Sequence, residues 1–310
     1  MKKIFSFIKR VDCECPLCGS LCSEEFADER IDQSKLGSFS YSSRKNPEFM
    51  CLRLVRCLKC DLIYAPSRPN MSFLRKAYEE ADFDTGSEAA YAAQTYTNLI
   101  SSFVARLSHK YAAVDIGAGN GALLPDLVKM GFNTAVGIEP SRAALEAATP
   151  AVRSMLREGV FSHGIVSDLK ISLICLFMTL EHTESPMKYV RTAWDLLEPG
   201  GMVVITVHNW RAAINRILGF RSPIIDIEHL QLFSDRSLSR LLSLNGFRVL
   251  ERRSYKNTYP LSYWLRLAPV SSNTKKIMAS GFKSLGISGH PFSLNVGNIF
   301  AVGIKDAEIK

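Results

Sequence analysis

Two stretches of this chain gather residue types able to do chemistry. The first is a set of thiols. Seven of the eight cysteines precede residue 61, and four of them form two C-x-x-C knuckles: Cys15 and Cys18 in "CPLCG", Cys57 and Cys60 in "CLKCD". Each knuckle places two thiolates on one side of a tight turn, and two knuckles supply the soft ligands of a tetrahedral zinc ion. A closed four-cysteine site has no open coordination position, so the metal is expected to be structural. Disulfides are the competing reading, disfavoured in a reducing compartment. Cys13, Cys22 and Cys51 are near enough to replace a knuckle member, whereas Cys175 lies in an apolar run where packing alone accounts for it.

The second is "AAVDIGAGNGALL", residues 112–124, an apolar run that ends in Asp115 and the alternating Gly117, Gly119 and Gly121. Glycine tolerates positive φ and has no Cβ, so a ligand can approach the backbone closely. The helix start that follows adds free N–H groups. The alternative is a turn that uses glycine only for packing. The spacing D-x-G-x-G-x-G is not the dinucleotide pattern G-x-G-x-x-G, and no G-K-[ST] follows, which excludes a P-loop. A second apolar strand, "AVGIEPS" at 135–141, ends in Glu139. A carboxylate there can accept hydrogen bonds from both hydroxyls of a ribose.

These residues need elements to hold them. Ala112 to Ile116 reads as a buried strand, and Ala122 to Lys129 as a helix with Leu123, Leu124, Leu127 and Val128 on its inner face. "LKISLICLFMTLEH" at 169–182 is a third apolar run, ending at Glu181 and His182. "YVRTAWDLLEPGGMVVITV" at 189–207 reads as helix, turn and strand. "SDRSLSRLLSLNGFRVLE" at 234–251 reads as a helix capped by Ser234, stopped at Gly246 and followed by a strand. Strands alternating with helices imply an α/β, doubly wound sheet with helices on both faces. Ligands then bind outside the carboxyl ends of the strands, where Asp115, Glu139, Glu181 and His182 would all lie.

Taken in order, "VDIGAGNG", "GIEPS", "TLEHTESP", "LLEPGGMVVIT" and "HLQLFSDRSLSRLLSLNGF" resemble the motifs of class I S-adenosylmethionine-dependent methyltransferases over roughly residues 88–252. The resemblance implies a seven-stranded Rossmann-like sheet whose last strand is antiparallel, here "NIFAVGIK" at 298–305. It implies that Asp115 to Gly121 line the methionine and ribose of S-adenosylmethionine, that Glu139 binds the ribose and that Glu158–Gly159 lie near the adenine. The cysteine-rich start is similar to the zinc-ribbon-like unit of a subgroup of bacterial methyltransferases, some of which modify sugars. Members that methylate sugar carbon usually carry a further large C-terminal domain, so C-methylation is not expected of these 310 residues. The expected organisation is a zinc-binding unit and linker over 1–85, a cofactor-binding core over 86–254, and a basic aromatic insertion with the last strand over 255–310.

Methyl transfer mainly requires that the acceptor be positioned, and a base helps only if the acceptor must lose a proton. His182 is the first candidate base, with Glu181 to orient it; the alternative is that this acid–histidine pair supports its loop. His229 in "EHLQLF" is the second candidate. Residues 211–228 are expected to wall the acceptor pocket, with His208 and Asn209 facing it. Tyr91 and Tyr96 cover the cofactor or simply pack.

Charge bounds the partners. The formal charge is +8, and residues 252–305 hold eight basic residues and no Asp or Glu. That segment also holds Tyr255, Tyr259, Tyr263, Trp264 and Phe282. It is read as recognising an anionic small-molecule acceptor, as resting on an anionic membrane face, or as a solvated surface. The acceptors expected are a sugar or a nucleotide-linked or lipid-linked glycan precursor. An RNA methyltransferase with a zinc ribbon is the alternative, disfavoured because no Asn/Asp-Pro-Pro-aromatic motif stands where Thr179 to His182 are. The glycine spacing disfavours a nicotinamide enzyme. "MKKIFSFIKR" is too short an apolar core for a signal peptide, and no apolar run spans a bilayer, so a cytoplasmic protein is expected.

Overall fold

Short aliphatic runs alternate with amphipathic segments from residue 112 onward, and in the computed structural model they form one twisted sheet with helices on both faces. Residues 10–37, 40–41, 48–83, 88–268 and 270–306 are described. Nearly all of the basic start "MKKIFSFIKR" and parts of the expected zinc-binding unit and linker lie outside them.

The N-terminal unit contributes β1 (Arg10–Asp12), β2 (Ser23–Ala27), β3 (Leu54–Cys57), β4 (Ile63–Tyr64) and β5 (Ser67–Pro69), then α1 (Met71–Glu79). The core follows with α2 (Glu88–Val104), β6 (Ala112–Ile116), α3 (Leu124–Lys129), β7 (Thr134–Glu139), α4 (Arg142–Glu146), α5 (Pro150–Arg153), β8 (Leu156–Glu158) and β9 (Ile171–Phe177). It continues with α6 (Pro186–Leu196), β10 (Leu197–His208), α7 (Ala213–Leu218), β11 (Gln231–Leu232) and α8 (Asp235–Leu244). The chain ends in β12 (Arg248–Pro260), α9 (Leu261–Leu267), α10 (Ser272–Ser284) and β13 (Pro291–Ile304).

Seven strands form the main sheet in the order β12-β13-β10-β9-β6-β7-β8. The pairs from β10 to β8 are parallel. β13 runs antiparallel to both β10 and β12. This is the expected doubly wound sheet, and the last strand is the antiparallel one. The order reverses between β6 and β9, and a crevice opens outside the carboxyl ends of strands at such a point.

Alternation along the strands divides the core between two faces. Ala113, Leu173, Cys175 and Val204 pack on one side with Ala92, Tyr96, Ile100 and Phe103 of α2, at the spacing of one helix face. Val114, Ile116, Ile174 and Val203 pack on the other with Val190 of α6 and Leu238 and Leu241 of α8. Ser234 caps α8 in a capping box with Ser237. One expectation fails: α3 is six residues long, and Val128, expected inward, is 46% exposed. So short a helix buries only a narrow stripe, and Leu124 and Leu127 fill it.

The cysteine-rich unit does not stand apart. Its four-stranded sheet has the order β11-β4-β3-β2, so residues 231–232 of the core complete it. Cys15, Cys57, Cys60 and Leu62 belong to the same buried cluster as Val114 and Ile205 of the main sheet. A second cluster joins Leu52, Leu54, Ile63 and Leu74 to Ile224, Ile225, Ile227 and Leu230. The N-terminal unit therefore buttresses the segment between β10 and α8.

Candidate functional site

The glycine turn after β6 has the conformation its composition predicts. Gly117, Gly119 and Gly121 have φ of 75°, 56° and 72°. A Cβ on Gly117 would lie 2.9 Å from Thr179 Oγ1. That hydroxyl donates to the Ile116 carbonyl at 2.8 Å, tying the segment after β9 to the end of β6. A Cβ on Gly121 would meet Val152 at 2.5 Å. Asp115 is buried at the end of β6.

Glu139 closes the turn from the next strand. Its Oε2 accepts the Gly119 N–H at 2.8 Å and its Oε1 accepts the Ser141 N–H at 2.8 Å. Burial pushes this carboxyl above its usual range, and the two backbone donors oppose the shift. A cleft of about 170 Å³ lies against these groups, lined by Gly117, Ile138, Glu139, Gly159, Val160, Phe161, Met178 and Thr179. Glu158 is not part of the lining; its carboxylate is held by Arg142 at 3.0 Å on the surface. Gly159 to Phe161 face the cleft instead.

The segment after β9 is a single 3₁₀ turn, Leu180–His182. Glu181 was expected to orient His182, but its carboxylate turns toward the end of β10. There Oε1 accepts the His208 N–H at 2.7 Å, and Oε2 is buried with no hydrogen-bond partner among the described residues. Complete burial pushes the Glu181 carboxyl up to about 8. His182 takes its orientation from the chain: Nδ1 lies 3.2 Å from the Glu228 carbonyl. His229 does the same, with Nδ1 2.8 Å from the Ile224 carbonyl. A carbonyl only accepts, so Nδ1 carries the proton in each ring and Nε2 is the basic nitrogen.

His229 stands between the other two imidazoles, 4.8 Å from His182 and 5.3 Å from His208 by ring centroids. Burial lowers His208 to about 4, opposed by its hydrogen bond with Asn298 at 2.9 Å, so this ring is neutral near pH 7. The three rings border a second cavity of about 270 Å³, which shares Gly117, Met178, His182 and Glu228 with the first. Its far wall is Asn257, Tyr259, Tyr263, Trp264 and Asn298. Tyr259 packs on Tyr263 at 4.3 Å and on Trp264 at 5.4 Å. Among the described residues no Lys or Arg lines this cavity. Pro223, Asp226 and Glu228 reach it from the segment expected to form a wall. Asn209 faces elsewhere, donating to Asp235 at 2.9 Å. Tyr96 lines the cavity and stacks on Phe177 at 4.1 Å.

Sequence reading missed Tyr78, whose hydroxyl reaches the His182 and Glu228 carbonyls at 3.5 and 3.4 Å. It also missed Asn257 and Asn298. Nothing local marks any of the three, because each meets its partners only through the tertiary fold.

Cys15, Cys18, Cys57 and Cys60 come together as their spacing predicts, all four Sγ atoms within 4.8 Å of one another. Cys15 and Cys60 are 3.4 Å apart, Cys18 and Cys57 3.5 Å. Cys13 points instead to the Ala65 carbonyl, Cys51 to the Asp28 carbonyl, and Cys22 is exposed. Cys175 is buried in the core, as expected. Next to the second knuckle, Asp61 (φ 68°) binds Arg211 through both oxygens, at 2.6 Å each. Its carbonyl accepts from Trp210 Nε1 at 3.0 Å.

Residues 89–252, more than half of the chain, match the family described as "Methyltransferase domain". The EEF1A lysine methyltransferase 2 of Danio rerio is 30% identical over 121 residues, covering 34% of this chain and 51% of that protein. The chain thus spans about half the length of this curated relative. Among solved structures, a SAM-dependent methyltransferase from Archaeoglobus fulgidus is 13% identical with a TM-score of 0.46, over 76% of this chain and 100% of that one. The plantazolicin methyltransferase BpumL, in complex with SAH, is 18% identical with a TM-score of 0.47, over 76% and 90%.

The Glu181 carboxyl has a measurable signature. Folding raises its pKa from 4.5 to about 8. Its contribution to stability is therefore whole below about pH 4.5 and is lost as pH rises through about 8. Glu181→Gln cannot ionise. Between about pH 5 and pH 8 the parent should lose on the order of 3 kcal/mol of unfolding free energy relative to this variant, as read by urea denaturation. Parallel curves would show that the carboxyl is not shifted.

Proposed function

Since the chain belongs to the methyltransferase-domain family, we propose that it transfers a methyl group from S-adenosylmethionine to a small acceptor of the sugar type, alone or as a glycan precursor. The second cavity carries this reading. Stacked aromatic side chains, the amides of Asn120, Asn257 and Asn298 and the carboxylates of Asp115, Asp226 and Glu228, with no Lys or Arg among the described lining residues, suit a neutral, hydroxyl-rich moiety. Any anionic part of the acceptor, such as a phosphate linkage, then lies outside the cavity.

The residues present fit the cofactor. Gly117, Gly119 and Gly121 hold the turn at positive φ, and Glu139 is held at the end of β7 by two N–H groups while its carboxylate retains further acceptor sites. Asp115, Gly117, Gly119, Gly121 and Glu139 would hold the methionine and ribose, and Gly159 to Phe161 would flank the adenine. Bound there, S-adenosylmethionine supplies an electrophilic methyl on a sulfonium. His182 borders both cavities, so its Nε2 is the base we assign for an acceptor proton, with His229 beside it as the alternate. Glu181 and the Tyr78 hydroxyl position the backbone on which His182 and His208 are carried.

The four thiols fit zinc. A tetrahedral ion with Zn–S near 2.3 Å separates its sulfurs by about 3.8 Å, and the observed pairs at 3.4 and 3.5 Å need only a small expansion. The ion would be structural, fixing Asp61 and through it the Trp210–Arg211 start of the acceptor wall.

Three measurements test these assignments. Glu139→Ala should weaken cofactor binding by about 1.5–3 kcal/mol in calorimetry, the worth of hydrogen bonds to a charged group; unchanged affinity would remove the ribose assignment. Elemental analysis should find close to one zinc per chain, lost in Cys15→Ser. A metal-free parent with a stable, soluble Cys15→Ser variant would exclude the ion. With methyl-labelled cofactor and a cell extract, label should enter carbohydrate-containing small molecules or lipids. Label confined to RNA or protein would overturn the acceptor class.

A further inference from the structure

α10 is thirteen residues long and buries none of them. It leans on α9, where Lys275 Nζ donates to the Arg266 carbonyl at 2.5 Å. Ile277, Gly281 and Leu285 follow one another at four-residue spacing along its outer side, with Ile277 74% and Leu285 73% exposed. Lys276 and Lys283, both exposed, follow at seven-residue spacing on the neighbouring side. Val270, Met278 and Phe292 add further exposed apolar surface at 41%, 40% and 50%. Large apolar side chains held in water to this extent mark a surface with a partner.

Charge identifies the partner. Neither α10 nor any other part of residues 252–305 contains Asp or Glu. A second copy of this helix would bring lysine against lysine, so self-association through this face is opposed. A ridge of protruding apolar side chains beside lysines needs no complementary groove if it enters the headgroup layer of a bilayer. None of the described helices is long and apolar enough to cross one. We propose that α10 docks on the surface of an anionic bilayer. α9, against which it packs, supplies Tyr263, Trp264 and Leu267 to the second cavity. Docking therefore sets that wall beside the lipid and gives the acceptor a source, a lipid-carried sugar. The docking stands on the helix alone; the lipid-carried acceptor rests also on the proposed function.

The full chain should sediment with phosphatidylcholine vesicles containing phosphatidylglycerol, far less with phosphatidylcholine alone, and less as salt is added. Lys276→Glu with Lys283→Glu should weaken binding by about tenfold or more. Ile277→Ser with Leu285→Ser should weaken it too, and both variants should keep the parental melting temperature because the positions are exposed. Absence of binding to either vesicle, or equal binding by parent and both variants, overturns the docking. So does a concentration-dependent dimer that Ile277→Ser with Leu285→Ser abolishes, which would assign the face to a second copy. Vesicle binding by a protein that labels no lipid-linked product would retain the docking and overturn the lipid-carried acceptor.

Discussion

The clasp between Asp61 and the segment that follows β10 is the contact on which the acceptor side depends. Asp61 is 6% exposed, and its two oxygens, its carbonyl and its left-handed backbone are all engaged at the edge of the second cysteine knuckle. Burial, the largest single influence, would raise its pKa; hydrogen bonds from Arg211 and Ser234 and the charges of Arg211 and Arg56 together outweigh it, and the net shift is downward. A bidentate pair of this kind has a fixed geometry as well as an energy. Arg236 reaches back to the Lys59 carbonyl at 2.9 Å, and the Ala65 N–H donates to Leu230 at 2.9 Å. The segment carrying Glu228 and His229 is thus held at both ends by the N-terminal unit, which also lines the cofactor cleft through Tyr41, Leu74 and Tyr78.

The cofactor side depends on other contacts. Glu139 binds the turn to β7, and Thr179 binds it to the segment after β9. Both are short-range consequences of the parallel order β9-β6-β7. One side of the cofactor cleft is therefore built into the sheet and the other is lined by the N-terminal unit, whereas the second cavity takes its outer walls from the β10–α8 segment, α9 and β13.

This division also explains what could be read in the amino-acid sequence. The glycine turn, Glu139 and the four cysteines are each defined by spacing within a few residues, and spacing survives folding. The alternation of strands and helices similarly prescribed the doubly wound sheet, while its seven strands and antiparallel last strand followed from the resemblance to class I methyltransferases. Glu181 was misjudged because adjacency to His182 says nothing about direction: within one 3₁₀ turn the two side chains diverge, and Glu181 faces the backbone of a strand 27 residues later. Asn298 and Asn257 were invisible because single amides within strands carry no signature. The basic count in the C-terminal segment pointed to an anionic acceptor, yet several of those charges are spent internally. Arg266 pairs with Glu88 at 3.3 Å, and Lys305 donates to the Trp194 and Leu197 carbonyls at 2.7 Å each.

β13 is made after every other strand, yet it lies between β10 and β12. Asn298, the partner of His208, sits on it. A chain emerging from the ribosome has its glycine turn, Glu139 and the strands that hold them well before this insertion is synthesised, and N-terminal parts generally fold first. Until β13 arrives, β12 has no neighbour in the sheet and the histidine cluster lacks one wall. A nascent chain can thus form the surface for the methyl donor while the surface for the acceptor does not yet exist. The arrival of β13 is therefore the event that closes the second cavity.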